Sequence, residues 1–390
     1  MKKLKVLYQI SQDEFPAINK KINNFPRNAI WSPDGSCILV NLESREMKLY
    51  EIQEKNEPNN EEQKKAALTF KESEGITSME WNPQMNSLDP KTCYFISSCK
   101  NSPVHMWDAY TGKIKQTIHT KNQFFEFAGP SALAFSSAGD KIYCGFKNNI
   151  QIFDILNNFD PIQKFSTKKH QKGIISKIVH TPFNASVYAV GTFSGNVSCY
   201  SIKNNTLVCL LGNGNKKGIT EIKFSKCGNF IFTGSRMEDQ IYCFDIRQPN
   251  KPVYSLFRES RTNQRISFDI DCYGNFLGTG STNSKILIYD ITNPENKVFE
   301  YNEPKKSCIN SFRFHPFIQN VFLVSFGERF FGFKEKHFEK FKSKLVDFPV
   351  RICMISEDLD NQEEEERKEN IKSENFIAEE KEKEKENVDN

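Results

Sequence analysis

The chain has 390 residues, 38% of them hydrophobic, with 34 Phe and 12 Tyr, so it can bury a sizeable core. It has no run of about 18 apolar residues, which argues against a membrane-spanning helix, and its eleven cysteines include no C-x-x-C pair, which argues against zinc and disulfide frameworks. The net charge of +4 combines a tail of −9 at residues 357–390 with a body of +13, which suits either a polyanion-binding surface or scattered, solvated lysines.

One strand pattern recurs along the chain. An alternating apolar strand is followed by a turn with Pro or Gly, and a later strand closes on an aromatic residue next to an acid. The residue two before the turn proline, or its counterpart, falls at positions 31, 81, 135, 180, 224, 270 and 314. The fifth and sixth copies are the most alike, and Gly228 and Gly274 place them 46 residues apart. Seven copies at this spacing predict a WD40 β-propeller, whose repeats take about 40 to 45 residues.

Each copy supplies three inner strands, and the stretch after it predicts a fourth, outer strand. Six outer strands are predicted at residues 65–70, 113–118, 161–166, 206–211, 252–257 and 296–301. The seventh blade lacks one, and two segments compete for it: KLKVLYQI near the N-terminus and VRICMI at residues 350–355. We predict the N-terminal strand, because a strand beside the last blade closes the ring and protects its edges.

These patterns predict an all-β fold with a disordered C-terminal tail. A seven-bladed WD40 β-propeller is expected at residues 25–335, after an N-terminal segment at residues 1–24 that carries the ring-closing strand. A basic and apolar extension at residues 336–356 and an acidic tail at residues 357–390 follow. The tail is charged and of low complexity, so it has nothing to bury. A polar stretch at residues 53–63 predicts a flexible loop within the first blade.

No set of residues predicts catalysis. The sequence contains no G-x-x-x-x-G-K-[ST], G-x-S-x-G or H-E-x-x-H motif, and its six histidines are dispersed. Asp108, Asp154, Asp245 and Asp290 end the same strand in four copies, which indicates turn chemistry rather than paired carboxylates. We therefore expect a protein that is not an enzyme and that holds no metal or cofactor.

Arginine is concentrated in the fifth and sixth copies, at Arg236, Arg247, Arg258, Arg261 and Arg265. These residues lie in turns and connections, and alternate connections of a propeller emerge on the same face, so several guanidiniums can converge near the central channel. The planar guanidinium binds phosphate through two hydrogen bonds and stacks on bases. The alternative is a set of separate surface salt bridges with neighbouring acids.

Several motifs are more specific than a propeller requires. Their order from about Phe25 to Pro294 resembles that of the WD40 domain in the telomerase Cajal body protein family, and they read TNQRISFDIDCYGNFLGTGS, NSPVHMWDAYTGKI, SPDGSCIL, YCGFKNNIQIF and KKGITEIKF. The resemblance implies a non-enzymatic scaffold that recognises the CAB box, a short loop sequence in telomerase RNA and in small Cajal body RNAs. It also implies association with box H/ACA and telomerase ribonucleoproteins, folding by the cytosolic chaperonin, and localisation in the nucleus, in Cajal bodies or their equivalent.

The resemblance extends to individual residues. Phe25 lies in the segment before the first Trp-Ser-Pro turn, where the family also has Phe, and Arg236 matches an arginine of functional importance in the family. Before the fifth blade the family has Gly-His-Gln-Gly-Gly, whereas this chain has GNGNKKG, which places Lys216 and Lys217 there.

We therefore predict that one face of the ring, acting as a monomer within a larger complex, binds a single-stranded RNA loop. The predicted RNA-binding residues are Phe25, Lys216, Lys217, Arg236, Arg247, Arg258, Arg261 and Arg265. Single-stranded loops are the RNA elements whose bases are free to be read. The alternative is a scaffold for proteins only, such as a ubiquitin-ligase receptor or a chromatin-complex subunit, whose face holds a peptide.

Overall fold

The structure is a computed structural model that describes residues 2–18, 23–52, 62–122, 126–157, 159, 161–182, 186–212, 214–329 and 346–357. The chain divides into two units, Val6–Cys353 and the pair Met1–Lys5 with Met354–Asn390. The described residues of the smaller unit are the ends of strands β1 (Lys2–Ile10) and β29 (Val350–Glu357). Most of the predicted acidic tail, residues 358–390, lies outside the described residues.

Seven sheets build the fold, and six of them have four antiparallel strands. Blade one contains β2 (Pro26–Trp31), β3 (Cys37–Leu42), β4 (Glu46–Glu51) and β6 (Leu68–Lys71). Blade two contains β7 (Ile76–Trp81), β8 (Tyr94–Cys99), β9 (Val104–Asp108) and β10 (Ile114–Ile118). Blade three contains β11 (Ala132–Phe135), β12 (Lys141–Gly145), β13 (Asn149–Asp154) and β14 (Pro161–Ser166).

The next three blades repeat the same order. Blade four contains β15 (Ile175–His180), β16 (Val187–Thr192), β17 (Val197–Ser201) and β18 (Leu207–Leu211). Blade five contains β19 (Ile219–Phe224), β20 (Phe230–Ser235), β21 (Gln240–Asp245) and β22 (Tyr254–Phe257). Blade six contains β23 (Phe268–Ile270), β24 (Phe276–Thr279), β25 (Lys285–Asp290) and β26 (Lys297–Asn302). Two short 3-10 helices lie at Gln12–Glu14 and Pro90–Thr92, and no described helix is long and apolar enough to cross a membrane.

The seventh blade uses both ends of the chain. Its strand order is β27 (Ile309–Phe314), β28 (Val321–Phe326), β29, β1 and the two-residue β5 (Glu62–Gln63). Both segments that competed for the outer position are therefore present, with β29 third and β1 fourth. We expected the third strand directly after β28, in a stretch that falls mostly outside the described residues. We predicted that the propeller ends at residue 335. It extends beyond that residue, because β29 provides the third strand of blade seven.

The repeat positions read from the sequence are confirmed. Positions 31, 81, 135, 180, 224, 270 and 314 are the last residues of β2, β7, β11, β15, β19, β23 and β27. Each of the six predicted outer strands overlaps an observed strand. The recurring aspartates form turns as expected: Asp108 accepts from the backbone N–H of Tyr110 at 2.9 Å, and Asp290 accepts from that of Thr292 at 2.8 Å.

The cores lie between neighbouring blades. Phe70 of blade one packs edge-on against Phe95 and Trp107 of blade two, with ring centroids 4.9 and 5.6 Å apart. All eleven cysteines are free thiols, and most are buried among such apolar side chains. The first strand of each blade faces the centre of the ring, so its polar side chains determine the character of the central cavity.

Candidate nucleic-acid interface

The innermost strands surround a cavity of about 1120 Å³. Nine basic and four acidic side chains line it, so the lining carries a net positive charge. One end of the cavity, which we name the upper mouth, is formed by Phe193 and by residues 236–237, 261–265 and 328–329. The strand register places Phe193 and residues 236–237 and 328–329 at the end of the cavity where the innermost strands begin. The hydrogen bond from Met237 N to the carbonyl oxygen of Thr262 places residues 261–265 beside them. A net positive lining raises the local concentration of anions and favours an anionic ligand.

Within the cavity, charged side chains from several blades form a connected network. Glu221 of β19 lies between Arg313 of β27, with 3.1 Å from Nη2 to Oε2, and Lys177 of β15, with 3.7 Å from Nζ to Oε1. Lys177 Nζ also lies 2.8 Å from Oε1 of Glu80 in β7. Arg313 Nη1 donates to the carbonyl oxygen of Phe268 at 2.8 Å. The network therefore joins blades two, four, five, six and seven.

Burial and charge act in opposite directions on Glu221. Burial raises the pKa of this carboxyl, but Arg313, Lys177 and Lys223 outweigh it and lower the pKa to about 2. The carboxylate is therefore ionised at neutral pH and is held by cations of the cavity wall. These inner cations are already partnered, so they hold the blades together rather than offering a site for a ligand.

Two arginines at the upper mouth share one aromatic ring. The Cζ atoms of Arg236 and Arg265 lie 5.1 and 5.7 Å from the centre of the Phe193 ring, within cation–π range. Neither guanidinium has an acidic partner within ion-pair distance in the described part of the chain. Burial lowers the pKa of Arg265 and outweighs the opposing effect of Glu221, yet a guanidinium stays protonated at neutral pH. The mouth therefore presents one aromatic ring and two cations without acidic partners.

The repeat geometry explains this grouping. Phe193 follows Thr192 at the end of β16, and Arg236 follows Ser235 at the end of β20, so the two residues are equivalent in neighbouring blades. Gly218 allows their close approach, because a Cβ there would lie 2.6 Å from Phe193 O and 2.9 Å from Arg236 Nε. Sequence reasoning missed Phe193, although aligning the copies at Thr192 and Ser235 pairs it with Arg236.

Three other predicted residues lie at the upper mouth or beside it. Arg261 is exposed, with its Nε 3.6 Å from Oε1 of Glu259. Its connection is held beside the turn after β20, because Met237 N donates to the carbonyl oxygen of Thr262 at 3.0 Å. The remaining two are exposed lysines on the connection before β19, Lys216 and Lys217. All three can therefore reach a ligand at the mouth.

Phe25 lines the cavity but is only 3% exposed. It packs against the backbone of Gly327, where an added Cβ would lie 2.8 Å from Phe25 Cβ and Cδ2. Its position in the wall indicates that it shapes the cavity, because so little of its ring is open to a ligand.

Arg247 lies away from the upper mouth, contrary to our grouping of the five arginines. The antiparallel register pairs Asp245, at the end of β21, with Phe230, at the start of β20, which is the opposite edge of the blade. Arg247 Nη2 lies 2.6 Å from Oδ2 of Asp245, and its Nε donates to Oδ1 at 2.9 Å. For this residue the alternative of a local salt bridge is the correct one.

Arg258 is fully buried between blades five and six, so it does not belong to the candidate interface. Its Nη1 donates to the carbonyl oxygen of Ile266 at 2.9 Å and to Oγ1 of Thr279 at 3.3 Å. The Cζ atom lies 5.7 Å from the centre of the Phe268 ring. Burial lowers the pKa of Arg258 to about 10, although Glu221 opposes this effect.

The buried position of Arg258 predicts a structural role. Arg258→Ala is expected to lower the free energy of unfolding by roughly 2–4 kcal/mol, because it removes buried packing and a hydrogen-bond donor to Ile266 O. The RNA affinity of the folded variant should equal that of the wild type. Denaturant unfolding and RNA titration at a temperature below the transition measure the two effects. Unchanged stability with weakened RNA binding would place the guanidinium at the surface in solution.

Seven blades around a basic cavity define the chain as a WD40-type β-propeller, and residues 204–245 match the WD domain, G-beta repeat family. Over 320 residues, 79% of the chain, it is 33% identical to telomerase Cajal body protein 1 of Homo sapiens. Over 312 residues, 75% of the chain, it is 29% identical to the telomerase Cajal body protein 1 homolog of Drosophila melanogaster. The chain is therefore similar in sequence to the telomerase Cajal body proteins, as its motifs indicated.

The chain spans only part of these relatives, 58% of the human protein and 55% of the fly protein. It is also 26% identical, over 351 residues, to guanine nucleotide-binding protein negative regulator 1 of Schizosaccharomyces pombe. That match covers 83% of the chain and 85% of the yeast protein. The shared region in each case includes most of the propeller.

Proposed function

We propose that the protein is a non-enzymatic, RNA-binding scaffold of a telomerase or small Cajal body ribonucleoprotein, and that its upper mouth binds an unpaired RNA loop. The observation that carries this proposal is the grouping of Phe193, Arg236 and Arg265 at the edge of a net positive cavity. The names of the relatives, telomerase Cajal body protein 1 and its homolog, support the choice of ribonucleoprotein.

An unpaired RNA loop offers the two features that this group of side chains can bind. Its phosphates accept paired hydrogen bonds from a planar guanidinium. Its unstacked bases have open faces that stack on an aromatic ring or on a guanidinium plane. A duplex keeps its bases inside the stack and would use only the first feature. The upper mouth is therefore better matched to a loop than to a paired helix.

The partners follow from the same proposal. The RNA is a telomerase RNA or a small Cajal body RNA, and the protein partners are H/ACA-type or telomerase ribonucleoprotein subunits. The protein enters the complex as a monomer after folding by the cytosolic chaperonin, and the complex resides in the nucleus, in Cajal bodies or their equivalent. The motif resemblance and the names of the relatives support these assignments.

RNA bound to the protein is the direct test. The protein purified from nuclear extract is expected to carry RNA that can be sequenced. If three basic side chains each contact a phosphate of a single strand, log Kd should change with log salt concentration with a slope of about 2. Titrations of a labelled RNA at several salt concentrations measure this slope.

The alternative, a scaffold for proteins only, predicts the opposite outcome. It predicts no RNA in the purified material and no salt-dependent binding of a single strand. An RNA-free preparation that fails to bind single-stranded RNA at low salt would therefore reject the proposed function. Peptide capture by the same preparation would then favour the alternative.

A further inference from the structure

A strip of lysines leads away from the upper mouth across blades three, four and five. Its members are exposed and form no ion pair within the described part of the chain: Lys147, Lys168, Lys169, Lys172, Lys216 and Lys217. They lie in three segments, residues 146–148, 167–174 and 215–218, that contain no Asp or Glu. We name this surface the lysine strip. The absence of acids within it leaves its positive charge uncompensated locally.

Hydrogen bonds join two of the segments into one surface beside Phe193. Asn148 N donates to the carbonyl oxygen of Gly173 at 2.9 Å, and Gly173 N donates to Oδ1 of Asn148 at 2.6 Å. Lys147 and Ile174 form an isolated β-bridge. Phe193 N donates to the carbonyl oxygen of Ile174 at 3.0 Å. The lysine-bearing turn and connection therefore reach the backbone of Phe193, whose ring belongs to the upper mouth.

The third segment lies on the other side of Phe193. An added Cβ at Gly195 would lie 2.9 Å from the carbonyl oxygen of Lys217, and one at Gly218 would lie 2.6 Å from that of Phe193. Glu238 reduces the charge at this end, since its carboxylate oxygens lie 3.4 Å from the backbone N of Lys216. The uncompensated charge is therefore concentrated in blades three and four.

The chemistry of the lysine strip differs from that of the upper mouth. Lysine is a compact point charge that contacts phosphates without stacking on bases. The one phenylalanine in the three segments, Phe146, is buried. The one exposed ring in these segments is the imidazole of His170. A surface of six lysines with a single imidazole can bind a nucleic-acid backbone, but it offers no Phe, Tyr or Trp face on which successive unstacked bases could stack. An RNA stem presents such a backbone, because its bases are paired and its outer surface consists of phosphates and 2′-hydroxyls.

We propose that the lysine strip binds the backbone of the paired RNA stem that flanks the loop held at the upper mouth. This inference rests on the proposed function and adds the second half of the ligand to it. The ligand is then a hairpin, with its loop at Phe193, Arg236 and Arg265 and its stem running over blades four and three. Affinity for the hairpin should exceed affinity for the isolated loop, because the stem adds phosphate contacts.

The test uses a triple variant of the full chain, Lys168→Glu, Lys169→Glu and Lys172→Glu. Two probes are compared: a labelled synthetic hairpin with a fully paired stem, and an unpaired strand with the loop sequence of that hairpin. The triple variant is expected to weaken hairpin binding by at least about tenfold. The slope of log Kd against log salt concentration should fall by about one for each phosphate that the protein no longer neutralises. Its affinity for the unpaired strand should change much less.

A matched control changes the net charge by the same amount on the opposite face. The control is Lys113→Glu, Lys203→Glu and Lys251→Glu, three exposed lysines in connections at the other ends of the blades. It should bind both probes as the wild type does. Thermal melting of both triple variants shows whether each is folded.

Three results would overturn the proposal. The first is a lysine-strip variant that binds the hairpin as tightly as the wild type does, the second is an equal loss of affinity for both probes, and the third is an equal loss in the control. Failure of the proposed function has a different signature. In that case the unpaired strand would not respond to Arg236→Ala with Arg265→Ala, whatever the lysine-strip variant does to the hairpin.

Discussion

Replacing Arg236 and Arg265 together by alanine is expected to weaken the binding of an unpaired RNA strand by at least about 100-fold. A hydrogen bond that involves a charged group contributes roughly 1.5–3 kcal/mol, and each factor of ten in Kd corresponds to about 1.4 kcal/mol. Loss of one such hydrogen bond at each arginine therefore gives two factors of ten or more. Fluorescence anisotropy at one fixed salt concentration measures the change.

Arg247→Ala is the matched control, because Arg247 is an exposed arginine of the same blade, on its opposite edge and paired with Asp245. It should leave the affinity unchanged. Lysine at both positions of the double variant should give an intermediate loss, since lysine keeps the charge and loses the planar group that stacks. Wild-type affinity in a normally folded Arg236→Ala, Arg265→Ala variant would remove the upper mouth from consideration as the RNA site.

Replacing Phe193 distinguishes base stacking from charge attraction at the upper mouth. Phe193→Leu keeps an apolar side chain and removes the aromatic face, which is worth roughly 1–3 kcal/mol when a base stacks on it. If the loop is held only through its phosphates, this variant should bind as the wild type does. A loss of affinity with an unchanged salt dependence would assign the ring to a base.

Arg313→Met is expected to destabilise the propeller by roughly 3–5 kcal/mol, the usual cost of removing one partner of a buried ion pair. The substitution leaves the Glu221 carboxylate with Lys177 at 3.7 Å and removes the donor to the carbonyl oxygen of Phe268. Denaturant unfolding measures the loss. The double variant Arg313→Met, Glu221→Met should recover a large part of it, because no buried carboxylate is then left without its arginine.

The same network gives a signed pH dependence. The pKa of Glu221 is about 2 in the folded protein, against an ordinary value of about 4.3. The ionised carboxylate therefore stabilises the fold by an amount on the order of 3 kcal/mol above the ordinary pKa. This contribution decreases as pH falls from about 4 toward 2. The stability difference between wild type and Glu221→Gln should shrink over that interval, and a difference that stays constant would show that the Glu221 charge is not the cause.

The blades were predictable because their signals are local. Alternation of apolar residues predicts a strand, and a turn within the next few residues predicts where the strand ends. Position 224 could therefore be read from ITEIKF and the turn that follows it. Asp108 and Asp290 could be assigned to turns for the same reason, since each accepts a hydrogen bond from the residue two positions later. Sequence spacing then counted the blades correctly.

The last blade shows where local reasoning stopped. Both β1 and β29 have strand patterns, but nothing in either segment indicates which strand it pairs with. The choice depends on which strand lies third beside β28, and in the structure β29 occupies that position and leaves the fourth to β1. The prediction that the N-terminal strand takes the outer position was therefore correct, but the role of β29 as the third strand was missed, because strand pairing between distant segments is a property of the assembled sheet.

The five arginines divide in the same way. Their residue type and their clustering were visible in the sequence and indicated a binding surface for anions. Their surroundings were not visible in the sequence. In the structure Arg236 and Arg265 meet at Phe193, Arg247 pairs with Asp245, and Arg258 is buried beside Phe268. The sequence by itself determined the number of blades, the ends of their strands and the concentration of basic residues, because these depend on neighbours along the chain. Only the tertiary structure decided which cations converge on one aromatic ring, because that depends on contacts between residues of neighbouring blades that are far apart in the sequence.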